Sequence, residues 1–133
     1  MTTVAAPTED RAKSAAGLRA AVAILEKWGA SGEQAAAILR VSRSTYARAR
    51  RHDPEWRVSL DEDQLTRISL VLNIHASLRV LFDNPENLYG FMAMANHNVP
   101  FHGRSPLQVM AEGGMLALYD VFRHIDSLRG GQW

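Results

Sequence analysis

The chain has 133 residues, with fifteen Lys and Arg against fourteen Asp and Glu and no cysteine. At about 150 residues per domain this is one domain or two very small ones, long enough to bury roughly two thirds of its unfolded surface; 47% hydrophobic residues exclude general disorder. The lack of cysteine excludes a disulfide scaffold, a Cys-based zinc site and thiol catalysis. No run approaches the ~20 apolar residues of a membrane span, and no basic-then-apolar signal opens the chain, so a cytoplasmic protein without membrane contact is expected.

Almost every segment reads as helix. The first is predicted over about Thr8–Trp28, with Thr8 as N-cap, Glu9 and Asp10 in the first turn, and Leu18, Ala21, Val22 and Leu25 on one face before Gly29. Ser31 caps a short helix over about 32–40. Ser42 caps a third that reaches about Arg51, and Asp53-Pro54 breaks the pattern. Ser59 with Glu62 fits a capping box for a helix of some 20 residues ending near Phe82. That helix is apolar over more than one face, so it is either central in the fold or shared with a second chain. Asn84-Pro85 opens a helix to about residue 95, and residues 96–104 read as a loop whose Asn96, His97 and Asn98 suit a helix cap better than catalysis. Ser105-Pro106 opens a helix to Ala111. Gly113-Gly114 breaks it, and a last helix over about Met115–Leu128, with Leu118, Val121, Phe122, Ile125 and Leu128 on one stripe, leaves residues 129–133 as a short tail.

The net charge of +1 is a sum of unlike halves. Residues 1–58 carry ten basic and six acidic residues, and residues 59–133 carry five and eight. The basic half is the candidate for nucleic acid. Thirteen of the fifteen cations are Arg, the better fork for phosphates and guanine edges. A GC-rich genome would also favour Arg, so placement carries the argument.

Residues 33–51 have the pattern of a helix-turn-helix. Ala36 is small where the two helices cross, and Leu39 and Val41 point inward on either side of the turn. Ser42 caps the helix whose N-terminus enters the major groove. Tyr46 and Ala49 face inward, leaving Arg43, Ser44, Ala47, Arg48 and Arg51 outward, without a single acid between Ser42 and His52. The candidate DNA-binding set is Ser42, Arg43, Ser44, Thr45, Ala47, Arg48, Arg50 and Arg51. Arg43 and Arg48 are the candidates for base edges, and Arg50 and Arg51 for phosphate. Such a turn usually carries Gly where Arg40 stands. An ordinary helical hairpin with a solvated Arg face is the plain alternative.

After Ser59 the chain shows a capped helix ending in Leu78-Arg79-Val80-Leu81-Phe82, then Asp83-Asn84-Pro85. The loop Asn98–Leu107 with Gly103-Arg104-Ser105-Pro106-Leu107 follows, then a Gly pair and a final helix ending in Leu128-Arg129-Gly130-Gly131. With the upstream helix-turn-helix, this ordered set resembles the antitoxins of the Xre/MbcA/ParS family over about residues 15–133. His102 stands where that family often has a second Gly. The resemblance implies an all-α fold: a Cro-like helix-turn-helix bundle (residues 9–58, after a flexible N-terminus at 1–8), then a helical dimerisation and toxin-binding domain (59–128) and a C-terminal tail (129–133). It also implies a RES-domain toxin as partner, an NAD-consuming enzyme resembling ADP-ribosyltransferases, and repression of the antitoxin's own operon. In that family the C-terminal region reaches the toxin's cleft. The residues available for this here are Arg129, Gly130, Gly131, Gln132 and Trp133, with Arg104 in the preceding loop. A Trp closing a Gly-hinged tail is also the residue type enriched at interface hot spots.

The five histidines show no zinc spacing, and no phosphate loop or nucleophile motif appears, so neither catalysis nor a cofactor or metal is expected. Partners expected are the toxin, operator DNA and a second copy of the chain. The rival readings are a stand-alone regulator with a dimerising or ligand-binding C-terminal domain, and a toxin-binding protein that no longer binds DNA.

Overall fold

The computed structural model describes residues 8–130. Among them are seven helices and no strand: α1 (Thr8–Lys27), α2 (Gly32–Leu39), α3 (Arg43–Arg50), α4 (Glu62–Leu81), α5 (Pro85–Ala93), α6 (Pro106–Glu112) and α7 (Gly114–Gly130). Side-chain caps start α2 to α6. Ser31 and Ser105 form reciprocal boxes with Gln34 and Gln108, and Ser42 accepts from the Thr45 amide. Thr8 is the first residue of α1 rather than the cap before it.

The cap of α4 differs from the expected Ser59–Glu62 box. Asp61 is the N-cap, with Gln64 returning the bond. The reason lies in the helix-turn-helix. Arg40 pairs with Asp61 and with Asp63 (2.6 Å), and the Gln64 amide donates to the Arg40 carbonyl at 2.8 Å. Arg67, almost fully buried, adds bonds to Asp63 (2.9 Å) and to the Ile38 carbonyl (3.2 Å), satisfying a carbonyl that the end of α2 leaves without a helical partner. These bonds clasp the turn to the first turn of α4.

The chain reverses after α1 and after α2 by the same device. Ala30 N–H bonds to the Leu25 carbonyl around Gly29 at φ 92°, and Val41 N–H bonds to the Ala36 carbonyl around Arg40 at φ 57°. Arg40 therefore occupies the left-handed region with a side chain, and the clasp on Asp61 and Asp63 offsets the strain. His102 also sits there, at φ 53°, but is exposed and takes part in no clasp. The two positions should thus respond oppositely to glycine. His102→Gly is expected to stabilise by about 0.5–1 kcal/mol, the left-handed penalty less the entropy of glycine. Arg40→Gly should lower the melting temperature despite the same relief. Thermal melts of the two variants test this, and a stabilised Arg40→Gly would remove the clasp from the account.

One continuous apolar core runs through both halves of the chain. α4 packs against α1 and α2 on one side and α7 on the other, α6 lies on α2 and α7, and α5 closes over α4 and α6. Ile68, Val71, Ile74 and Leu78 of α4 are buried this way, leaving Leu65 and Val80 as its large exposed apolar side chains. Of the two readings of its broad apolar surface, the central position accounts for most of it. Full burial of each such side chain contributes about 1.5–3 kcal/mol. Residues 51–61 carry no regular structure and run back along α1, Val58 N–H bonding to the Arg11 carbonyl.

The loop 94–105 is shaped from within. The Asn96 side chain accepts from Asn98 N–H, the Asn98 carbonyl accepts from Phe101, and Gly103 N–H returns to the Asn96 carbonyl at 2.8 Å. The asparagines thus turn the loop rather than cap α5, whose C-cap is Met94. Phe101 is wholly buried, its ring edge-on to His124 at 5.2 Å. Gly113, the C-cap of α6 just before α7, has to be glycine, because a Cβ there would meet that of Ala117 at 2.3 Å. α7 continues two residues beyond the expected end, so Arg129 and Gly130 are helical rather than tail. No helix among the described residues is long and apolar enough to cross a membrane.

Burial holds His124, and His75 with help from Arg79 and Lys27, below the ordinary value of 6.5. The unfolded chain therefore takes up protons first as pH falls through 6.5. Stability is full above that value and declines below it until the folded-state histidines protonate too. Melting temperatures across neutral to mildly acidic pH should fall, and His124→Gln should flatten the decline. An unchanged slope would show that His124 does not contribute.

Candidate functional site

α3 exists as a helix because Ser42 supplies its cap: its hydroxyl accepts from Thr45 N–H at 3.0 Å, bonds the Thr45 hydroxyl at 2.9 Å and lies 3.1 Å from that of Ser44. Tyr46 and Ala49 are buried against α1 and α2, as their spacing predicts. Burial and Glu26 push the Tyr46 phenol up, so it serves as a neutral wedge. At 100° per residue, the direction opposite that buried pair is shared by Ser44, Ala47, Arg48 and Arg51, all exposed. Arg43 and Arg50 flank them on the Tyr46 side, and half-buried Thr45 lies on the other.

The arginines are not equivalent. Arg50 is held at 2.9 Å by Glu26 of α1, with its guanidinium 5.9 Å from the Tyr46 ring centre. Arg48 lies 3.6 Å from Asp53. Arg43 and Arg51 form no ion pair among the described residues. Exposed pairs of this sort contribute about 0–1 kcal/mol, so these ties hold the guanidinium groups only weakly. Two residues outside the expected set border the same surface. Arg19 of α1 donates to the Asp53 carbonyl at 3.3 Å, and His52 lines the α1–α3 groove with Arg50. His52 was legible as the end of the acid-free run, whereas Arg19 becomes a neighbour only through packing.

The second group of expected residues is not brought together. Arg104 lies 3.4 Å from Glu112 at the end of α6. Arg129 bonds Asp126 at 2.9 Å near the end of α7, where Asp126 also accepts from Ser77 at 3.4 Å. The rise of α7 separates these regions by about 20 Å. Gly130 is the last residue of α7, and Gly131, Gln132 and Trp133 lie outside the described residues. The solvent face of α7 carries Leu116 (78% exposed) and Tyr119, whose ring meets the Arg123 guanidinium at 5.9 Å. The sequence signal for this face was weak: both residues fall off the stripe of Leu118, Val121 and Ile125. Among the described residues, no group of three or more His, Asp or Glu is placed to hold a metal.

Two family descriptions match the chain in succession. Residues 8–73 match the antitoxin Xre-like helix-turn-helix domain, and residues 77–131 match the antitoxin Xre/MbcA/ParS C-terminal toxin-binding domain. A relative from Sinorhizobium fredii (strain NBRC 101917 / NGR234), named only as uncharacterized protein y4oB, is 30% identical over 129 residues, covering 94% of this chain and 93% of its own. With an all-helical fold, an antitoxin-type helix-turn-helix and a toxin-binding domain in sequence, the chain belongs to the Xre/MbcA/ParS family of antitoxins.

Proposed function

We propose that this antitoxin neutralises a RES-domain, NAD-consuming toxin of ADP-ribosyltransferase type by occluding its active site, and that it represses its own operon through α3. It acts in the cytoplasm by contact and carries no catalysis of its own. The observation that carries the DNA half is the exposed α3 surface, with Ser44, Arg48 and Arg51 outward and Arg43 and Arg50 beside them. Base edges fall to Arg43 and Arg48, and phosphates to Arg50 and Arg51, with Ser42, Ser44, Thr45 and Ala47 completing the surface. A homodimer would set two such helices on the half-sites of a palindrome, about 34 Å apart, although the fold itself uses most of α4's apolar surface.

The toxin half assigns occlusion to Arg129, Gly130, Gly131, Gln132 and Trp133, with Arg104 as a separate contact. Co-expression with a RES-domain protein encoded beside this gene tests the partner: the two should co-purify, and the antitoxin should restore growth. Deleting residues 129–133, or changing Trp133→Ala, should abolish rescue and leave the operator gel shift intact. If the truncated chain still protects cells, occlusion by the tail is wrong. The gel shift itself belongs at ~150 mM salt beside a non-specific duplex, because phosphate contacts alone bind any DNA at low salt.

A further inference from the structure

The C-terminal end of α1, the second half of α4 and α5 border a cleft of about 510 Å³ whose lining includes no residue of α3. Its walls include Lys27, His75, Arg79, Asp83 and Tyr89. Lys27 and Arg79 are exposed and form no ion pair among the described residues. Asp83, also exposed, pairs with neither. Both cations act on His75, and with its burial they disfavour the imidazolium. His75 Nδ1 is buried without a hydrogen-bond partner, a rare state for a polar atom inside a folded protein. The His75 and Tyr89 rings lie parallel within 3°, their centres 6.3 Å apart, and Lys27 Nζ stands 6.0 Å from the Tyr89 ring centre.

Two cations that share the cleft with one carboxylate, neither of them paired with it, favour an anion beside the imidazole. An oxyanion between Lys27 and Arg79 gains charge-assisted hydrogen bonds, with the guanidinium offering a planar fork. It also weakens the positive field that the two cations exert at His75. The parallel rings form an apolar wall for whatever body carries the charge, and the volume falls within the ~300–1,000 Å³ usual for small-molecule sites.

We infer that the α1–α4–α5 cleft binds a small anionic metabolite, its carboxylate or phosphate held between Lys27 and Arg79 and its body against the His75–Tyr89 wall. The cleft lies apart from α3, while Arg79, Asp83 and Tyr89 fall within the stretch that matches the toxin-binding domain; anion binding there is read without toxin or operator, so it can hold whether or not the function proposed above does.

The test is histidine-ring NMR of the full chain, titrated separately with inorganic phosphate and with benzoate at constant ionic strength. One of the two anions should shift the His75 resonances saturably and raise its titration midpoint, and the identity of that anion tells phosphate from carboxylate chemistry. Lys27→Ala and Arg79→Ala should each weaken the response about tenfold, as loss of one charge-assisted contact does. Both side chains are exposed, and thermal melts confirm that the variants fold. A shift that follows total salt without saturating, or that persists unchanged in the double variant, overturns the proposal. So does a double variant that loses operator affinity while neither anion moves His75, since the cations would then belong to the DNA backbone.

Discussion

Replacing Arg43 and Arg48 together by Ala is expected to weaken operator binding by at least about 30-fold, taking ~1–3 kcal/mol for each base contact. The fold should be untouched: both side chains are exposed, and the longer-range tie of Arg48 is an exposed pair with Asp53 at 3.6 Å. Circular dichroism and the melting temperature should match the parent, and toxin binding should survive. Discrimination against a scrambled duplex should fall with affinity, because base contacts carry the specificity. Arg51→Ala is the contrasting control. Loss of a phosphate contact weakens all duplexes alike and flattens the salt dependence by about one unit of slope. An undiminished preference of the double variant for operator over scrambled DNA would move base reading away from these two arginines, with Arg19 and His52 as the next residues to change.

Phe101→Ala is expected to cost about 3–5 kcal/mol, the range for emptying an aromatic site in a core. Against a total of about 5–15 kcal/mol this lowers the melting temperature by roughly 10 °C or more. Phe101 is wholly buried and edge-on to His124, and the hydrogen bonds of the surrounding loop all close around it. The cavity would open beneath the route from α5 to α6, so α6 and α7 lose their anchor first. Phe101→Leu, which keeps most of the volume, should recover over half the loss. A drop smaller than 1 kcal/mol, about 2–4 °C by the same scaling, would show that the loop collapses to fill the space.

Much of this was legible in the chain. Ser31, Ser42, Asn84 and Ser105 each announce a helix start, and all four do cap one. Apolar spacing correctly assigned Leu18, Val22 and Leu25 of α1 and Leu118, Val121 and Ile125 of α7 to the core. Asp61 was missed as a cap because its advantage over Ser59 depends on Arg40, 21 residues earlier in sequence, and local pattern carries no such term. The end of α7 was misjudged for the same reason, since Asp126 is held by both Ser77 and Arg129 and Gly130 alone reads as a stop. For α3, the outward arginines were legible from the helical period. Glu26 and Asp53, which hold two of them, approach only when α1 and the linker pack.

The turn at Arg40 fastened to α4, and the core that α4 carries from α1 to α7, have a consequence for turnover. Cooperative units unravel as wholes rather than residue by residue. A protease that enters at residues 51–61 or at the loop before α6 would therefore not leave a working DNA-reading fragment behind, because cutting strips a face from α4 and α1 together. Under the function proposed above, the two activities would share one lifetime: degradation would end repression and protection in the same event, and resynthesis would restart with the lapse.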